Sequence, residues 1–95
     1  MNLNTHIQTV FFIGIGGIGM SALARYCAAL GKTVYGYDKT ATKLTASLFS
    51  EEILVNYEDR VTSVEENFDV ETTLVVYTPA IPSDSELLNY FKNNG

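Results

Sequence analysis

The residues best suited to chemistry in this sequence are four glycines between positions 14 and 19. Gly14, Gly16 and Gly19 match the pattern G-x-G-x-x-G, and Asp38 follows the last of them by 19 residues. The apolar run before the glycines predicts a buried strand, and the residues after them predict a helix. A glycine turn at such a junction directs the free N–H groups and the positive dipole end of the helix toward an anion. The pattern therefore predicts a phosphate-bearing nucleotide bound over this turn.

Alternative roles stay open for several of these residues. The glycines would serve only a tight turn and close packing in one interpretation, but four of them cost conformational entropy that packing alone seldom requires. Asp38 is expected to accept a hydrogen bond from a ribose hydroxyl, or else to cap a helix or lie in a solvated turn. Lys39 either neutralises a phosphate or is solvated. Ser21 either donates to a phosphate oxygen or forms a hydrogen bond inside the first helical turn.

The elements that must position these residues follow from the hydrophobic pattern. Thr9 to Ile13 form a continuous apolar run, which is typical of a strand covered on both faces of a parallel sheet. Further strands are predicted over residues 33–37, 53–55 and 72–77. Helices are predicted over residues 18–30 and 42–50, a brief helical turn over 60–67, and a third helix opening at a capping box from Ser83 to Glu86.

The order of these elements predicts an α/β fold. We expect a Rossmann-like, three-layer doubly wound sheet of about four parallel strands in the order 3-2-1-4. A doubly wound sheet normally continues with another strand at this point, so we expect the domain to be truncated before a fifth strand.

Helix faces and ends are predicted from spacing. The first helix should bury one apolar face and end at Gly31, which tolerates a positive φ. The second should begin at about Thr42, with Thr40 or Ala41 near its start. The face predicted for the first helix comprises Met20, Leu23, Ala24, Cys27 and Leu30, and the third helix should bury Leu87, Leu88 and Phe91.

The loop at residues 78–82 lies at the carboxyl end of the fourth predicted strand. Pro79 and Pro82 restrict the backbone there. In open α/β sheets ligands bind at such ends, next to the topological switch point. The loop is either a shaped wall facing the glycines or a plain connection between strand and helix.

Composition and charge exclude several classes of function. The net charge of −5 argues against nucleic acid, and no apolar run is long enough to span a membrane. The sequence has no signal peptide, no P-loop, no metal-ligand cluster and no Ser/His/Asp set, so it predicts a cytoplasmic protein with no catalytic residue. Cys27 is expected to be a buried, inert thiol. The acidic residues between elements are expected to be solvated, and they are Glu51, Glu52, Glu58, Asp59, Glu65, Glu66, Asp69 and Glu71.

The stretch from Phe12 to Ala24 resembles the opening of the Mur ligases, the amino-acid-adding enzymes of peptidoglycan synthesis, and most of all their alanine-adding members. Three further features agree in the same order: Gly36-Tyr37-Asp38, the segment from Val76 to Pro82, and the final helix. The related ligase that recycles murein tripeptide has a less similar glycine loop. Ordinary dehydrogenases do not pair this glycine loop with Ala-Ile-Pro.

The resemblance implies that residues 1–95 are the N-terminal domain of a three-domain enzyme and bind the UDP part of UDP-N-acetylmuramate. ATP, Mg²⁺ and L-alanine would be bound by the absent domains, so no cofactor is expected on this fragment, and the fragment alone should be inactive. The alternatives are an NAD-binding domain of an oxidoreductase and a non-catalytic nucleotide-sensing domain.

The resemblance also implies the residues of the substrate site. The glycine turn would contact the diphosphate, Asp38 and Lys39 would lie near the uridine, and the loop at 78–81 would line the other side. Members often carry Gly-His where Asn56-Tyr57 stands, so Tyr57 replaces that His beside the nucleotide or the contact is lost. The expected site is Gly14, Ile15, Gly16, Gly17, Ile18, Gly19, Met20, Ser21, Asp38, Lys39, Tyr57, Thr78, Pro79, Ala80 and Ile81.

Overall fold

The computed structural model describes residues 6–59 and 71–94, which form one parallel sheet with helices on both faces. Along the chain the elements are β1 (Thr9–Ile13), α1 (Ile18–Ala29), β2 (Thr33–Tyr37), α2 (Lys43–Ser50), β3 (Leu54–Asn56), β4 (Thr73–Val76) and α3 (Glu86–Asn94). The strand order is β3-β2-β1-β4, and every pairing is parallel. The predicted fold class and strand order are confirmed.

Strand β1 is the centre of the core because both of its faces are covered. Val10 and Phe12 belong to the cluster on the side of α1 and α2, whereas Phe11 and Ile13 belong to the cluster formed with α3. Successive side chains of a strand point to opposite faces, so a continuous apolar run fills two cores at once. The three-layer arrangement follows from this run.

Helix α1 buries a face that differs from the prediction at two positions. Ala24 and Cys27 are buried, and burial raises the pKa of the Cys27 thiol, with Lys32 lowering it by a smaller amount. Leu30 is not part of this face, since it is the C-cap and is 48% exposed. Ser21 is buried instead, and its hydroxyl donates to the carbonyl oxygen of Ile18 at 3.0 Å. Gly31 follows with a φ of +85°, as expected.

Strand β2 contains a glycine that makes room for the glycine turn. A Cβ atom on Gly36 would lie 2.7 Å from Cβ of Ile15, and closer still to its Cδ1. Ile15 is fully buried in the cluster on the side of α1 and α2. Gly36 is therefore required because Ile15 packs directly over the backbone of β2.

Helix α2 begins one residue later than predicted, and the bounds of β3 and β4 differ from the predicted ones by one residue. Its N-cap is Thr42, directly after Thr40 and Ala41, because the side chains of Thr42 and Thr45 form a reciprocal capping box. Strand β3 covers 54–56 instead of 53–55, and β4 covers 73–76 instead of 72–77. The helical turn predicted for residues 60–67 lies outside the described residues.

The predicted capping box of Ser83 and Glu86 is wrong, because the N-cap of α3 is Ser85. The Ser85 hydroxyl accepts from the N–H of Leu88 at 3.2 Å. A second donor of the first turn, the N–H of Leu87, is satisfied by a distant side chain, Asp59, which accepts from it at 2.8 Å. Asp59 was expected to be a solvated surface residue, and this expectation is wrong. The inward face of α3 is confirmed, since Leu87, Leu88 and Phe91 are all buried.

Two further features of the described residues bear on function. No helix there is long and apolar enough to cross a membrane. In the same part of the chain, no group of three or more His, Cys, Asp or Glu side chains is placed to hold a metal ion.

Candidate functional site

The first half of the glycine turn is held by the end of β2. Gly14 has a φ of +92°, a conformation that favours glycine. The N–H groups of Gly14 and Ile15 donate to the carbonyl oxygen of Tyr37 at 2.7 and 3.0 Å, and the N–H of Gly17 donates to the carbonyl oxygen of Gly14 at 3.3 Å. These three donors are engaged within the protein.

The carboxylate of Asp38 joins the glycine turn to the end of β2. Its Oδ2 accepts from the N–H of Gly16 at 2.8 Å, and its Oδ1 accepts from the N–H of Thr40 at 3.0 Å. An ionised carboxylate has about four acceptor positions, so two remain for a ligand. Asp38 therefore fixes the turn and still offers an acceptor beside it.

The start of α1 is where free backbone donors occur. Among the hydrogen bonds of the described residues, none uses the N–H groups of Ile18, Gly19 and Met20. The first turn has no acidic side chain, and Ile18 is 85% exposed. A Cβ on Gly19 would meet no protein atom within 4 Å. This open helix start, with the positive end of the dipole, is suited to an anion.

A cavity of about 220 Å³ lies beside the turn, where the strands end. Loops from the carboxyl ends of all four strands contribute to it, as expected at the switch point of an open parallel sheet. Among the described residues its lining comprises Gly14, Tyr37, Asp38, Lys39, Asp59, Ala80, Ile81, Pro82 and Ser85.

The lining of this cavity is polar on the β2 side. Burial raises the pKa of the Tyr37 hydroxyl, and the negative charges of Asp59 and Asp38 raise it further. The hydroxyl therefore stays protonated at neutral pH and offers a donor. Among the described lining residues two carboxylates stand against one ammonium group, that of Lys39, and this balance suits an uncharged group that donates hydrogen bonds better than a phosphate.

The comparisons with known proteins agree on one family. The model of the Mur ligase family, catalytic domain, matches residues 9–95. The chain belongs to the Mur ligase family. That membership confirms the resemblance read from the glycine loop and from the segment after the fourth strand.

Individual Mur ligases match nearly the whole chain. The UDP-N-acetylmuramate–L-alanine ligase of Flavobacterium johnsoniae is 52% identical over 91 residues, covering 96% of this chain and 20% of that protein. The ligase of the same name from Cytophaga hutchinsonii is 52% identical over 96 residues, covering 100% of this chain and 20% of its own length. The chain thus spans about a fifth of the length of these relatives.

A solved Mur ligase has the same fold. The crystal structure of the UDP-N-acetylmuramate-alanine ligase MurC of Thermotoga maritima superposes with a TM-score of 0.72 at 31% identity. The match covers 90% of this chain and 19% of that chain.

The structure brings several of the predicted Mur ligase site residues together. Gly14, Asp38, Lys39, Ala80 and Ile81 line the cavity, and Ile81 Cδ1 would lie 3.0 Å from a Cβ on Gly14. Gly17, Ile18 and Gly19 are exposed at the start of α1. The two sides of the expected site, the glycine turn and the loop after β4, are in contact.

Other predicted residues lie away from the cavity. Ile15 is buried in the core, Met20 packs against it, and Ser21 has the intrahelical hydrogen bond that was one of its two expected roles. The Tyr57 hydroxyl donates to Oγ1 of Thr45 at 2.9 Å. Thr78 and Pro79 shape the loop without lining the cavity, and the Thr78 hydroxyl accepts from the N–H of Ala80 at 3.3 Å.

Four lining residues are absent from the expected site, although one of them, Pro82, belongs to the loop that was considered as its wall. Tyr37 could have been found from strand alternation, because it shares the α3 face of β2 with Tyr35 and ends the strand at the switch point. No local sequence pattern marks Asp59 and Ser85 as site residues, since the hydrogen bond between them joins residues 26 positions apart.

Proposed function

We propose that this chain is the N-terminal, UDP-binding domain of an ATP-dependent ligase that adds L-alanine to UDP-N-acetylmuramate in peptidoglycan synthesis. The observation that carries the proposal is the pairing of an open helix start with a cavity at the switch point that is polar on its β2 side, in a chain about half identical to ligases of that name. In this proposal the diphosphate binds at the start of α1. The uridine binds in the cavity, where the carboxylate of Asp38 accepts from its ribose hydroxyls.

The chain would hold the substrate and supply no reacting group. In the reaction that the family resemblance implies, the carboxylate of the muramoyl group is activated with ATP and Mg²⁺, and the amine of L-alanine then attacks it to form an amide. The residues for these steps would lie in other parts of the enzyme. Asp38, held by Gly16 and Thr40, would keep its remaining acceptor positions directed toward the nucleoside.

A thermal shift measurement tests this proposal. A ligand that binds only the folded state at ten times its Kd stabilises it by about 1.4 kcal/mol, which raises the Tm of a domain of this size by roughly 6–11 °C. We expect UDP and UDP-N-acetylmuramate to raise the Tm of the chain, and NADH at the same concentration to leave it unchanged. A rise with NADH and none with the UDP compounds would contradict the proposal and favour an oxidoreductase domain.

Substitution of Gly19 by alanine separates folding from binding. Alanine stabilises a helix by about 0.5–1 kcal/mol relative to glycine. Because a methyl group at this position meets no protein atom, we expect Gly19→Ala to raise the Tm of the free chain. The same methyl group would stand among the donors of the helix start, so the affinity for UDP should fall by about tenfold.

Isothermal titration with UDP and circular dichroism melting measure the two effects of Gly19→Ala on the same protein. Higher stability with unchanged UDP affinity would place the diphosphate away from the start of α1.

A further inference from the structure

Asp59 connects two loops on opposite sides of the cavity. It follows β3, and its Oδ1 reaches the first turn of α3, where it accepts from the Ser85 hydroxyl at 3.1 Å and from the N–H of Leu87 at 2.8 Å. Both contacts span more than 25 positions of the chain. The carboxylate therefore caps α3 from outside the helix and ties its start to the end of β3.

The start of α3 is continuous with the wall of the cavity. The N–H of Ser85 donates to the carbonyl oxygen of Pro82 at 3.0 Å, and the N–H of Ile81 donates to that of Thr78 at 3.1 Å. Leu87 is fully buried in the core beneath this segment. A shift at the start of α3 would therefore move the wall formed by residues 80–82, which faces the glycine turn.

We infer that Asp59 is a positioning residue of the nucleotide site, which holds the wall at residues 80–82 in its binding geometry through Ser85 and Leu87. This inference rests on the proposed UDP-binding function. In this role Asp59 sets the affinity for the nucleotide through the position of another loop, because small displacements of positioning elements weaken binding and catalysis strongly.

Three substitutions separate positioning from general stability. Asp59→Ala removes the acceptor for both donors, whereas Asp59→Asn keeps an Oδ1 acceptor in the same place. Asp84→Ala is the matched control, since Asp84 is an exposed acid one residue before Ser85 and its side chain has no hydrogen bond to another described residue. UDP is titrated calorimetrically into each variant at a temperature at which circular dichroism shows that it is folded.

We expect Asp59→Ala to raise the Kd for UDP by about ten- to hundredfold, with Asp59→Asn within about threefold of the unaltered chain and Asp84→Ala unchanged. The chemical shifts of the Ala80 and Ile81 amides should move in Asp59→Ala and not in Asp84→Ala. Ser85→Ala, which removes one of the two donors, should raise the Kd by a smaller factor and serves as the test if Asp59→Ala does not fold.

Each other outcome has a distinct meaning. A lower Tm with an unchanged Kd in Asp59→Ala would show that Asp59 only stabilises the fold, which overturns the inference. An unchanged Kd for UDP in Ser85→Ala would also overturn it. An equal rise of the Kd in Asp59→Ala and Asp59→Asn would show that the negative charge of Asp59 contacts the ligand directly, which contradicts a positioning role. If the unaltered chain binds no UDP, the proposed function fails, and the inference fails with it.

Discussion

Substitution of Gly16 by valine is expected to abolish the binding of UDP by this chain. A Cβ at this position would lie 2.7 Å from Oδ2 of Asp38 and 3.1 Å from Cγ2 of Thr45, and real Cβ atoms do not approach other atoms as closely as the first of these distances. The valine would displace the carboxylate from the N–H of Gly16, to which it is hydrogen-bonded at 2.8 Å. The turn and the β2 side of the cavity would therefore be disrupted together.

We expect the Kd for UDP to rise by more than about a hundredfold in Gly16→Val, because several binding contacts would be lost at once. Calorimetric titration measures the affinity, and circular dichroism checks that the variant is folded. Asp38→Ala and the double variant provide the control. If the clash with Asp38 is the cause, the double variant should lose little more than Asp38→Ala alone. A folded Gly16→Val protein with unchanged affinity would exclude the glycine turn from the site.

Substitution of Gly36 by alanine is expected to cause the largest loss of stability. The new Cβ would lie 2.7 Å from Cβ and 3.0 Å from Cγ1 of Ile15, which is fully buried. Because the first of these contacts is with the Cβ attached directly to the backbone, a change of rotamer does not relieve it. Overpacking of this kind costs about 1–3 kcal/mol, a large part of the stability of a domain of this size.

Urea denaturation measures this effect, with Gly19→Ala as the matched control. Both variants add one methyl group to a glycine, but the first meets Ile15 and the second meets open space. The free energy of unfolding should therefore fall in Gly36→Ala and rise slightly in Gly19→Ala. Equal stability of the two variants would show that Ile15 moves aside at little cost.

Much of the fold was predictable because the signals are local. The apolar run of β1, the glycine turn and the following helix lie within about twenty consecutive residues, and their order identifies the βαβ unit. Local patterns were a poorer guide where they competed with a distant partner. Ser83 and Glu86 fit a capping box, but the turn from Pro82 to Ser85 delays the helix, and the acceptors are supplied by Ser85 and Asp59.

The candidate site was likewise predictable only in part. The glycine pattern and Asp38 were recognisable because the motif prescribes their spacing. The motif did not indicate which backbone N–H groups are free to bind a ligand. The N–H groups of Gly14 and Ile15 are used by the end of β2, and that of Gly16 is used by Asp38, so the open donors belong to the first turn of α1.

The sequence by itself determined the class of fold, the strand order, the family and the position of the glycine turn. These depend on periodicity, glycine conformation and motif spacing, which act over a few neighbouring residues. Only the tertiary structure decided that Gly36 accommodates Ile15, that Asp38 closes on Gly16, and that Asp59 holds the start of α3. These contacts join residues 21 to 28 positions apart, so they exist only once the register of the sheet brings the ends of its strands together.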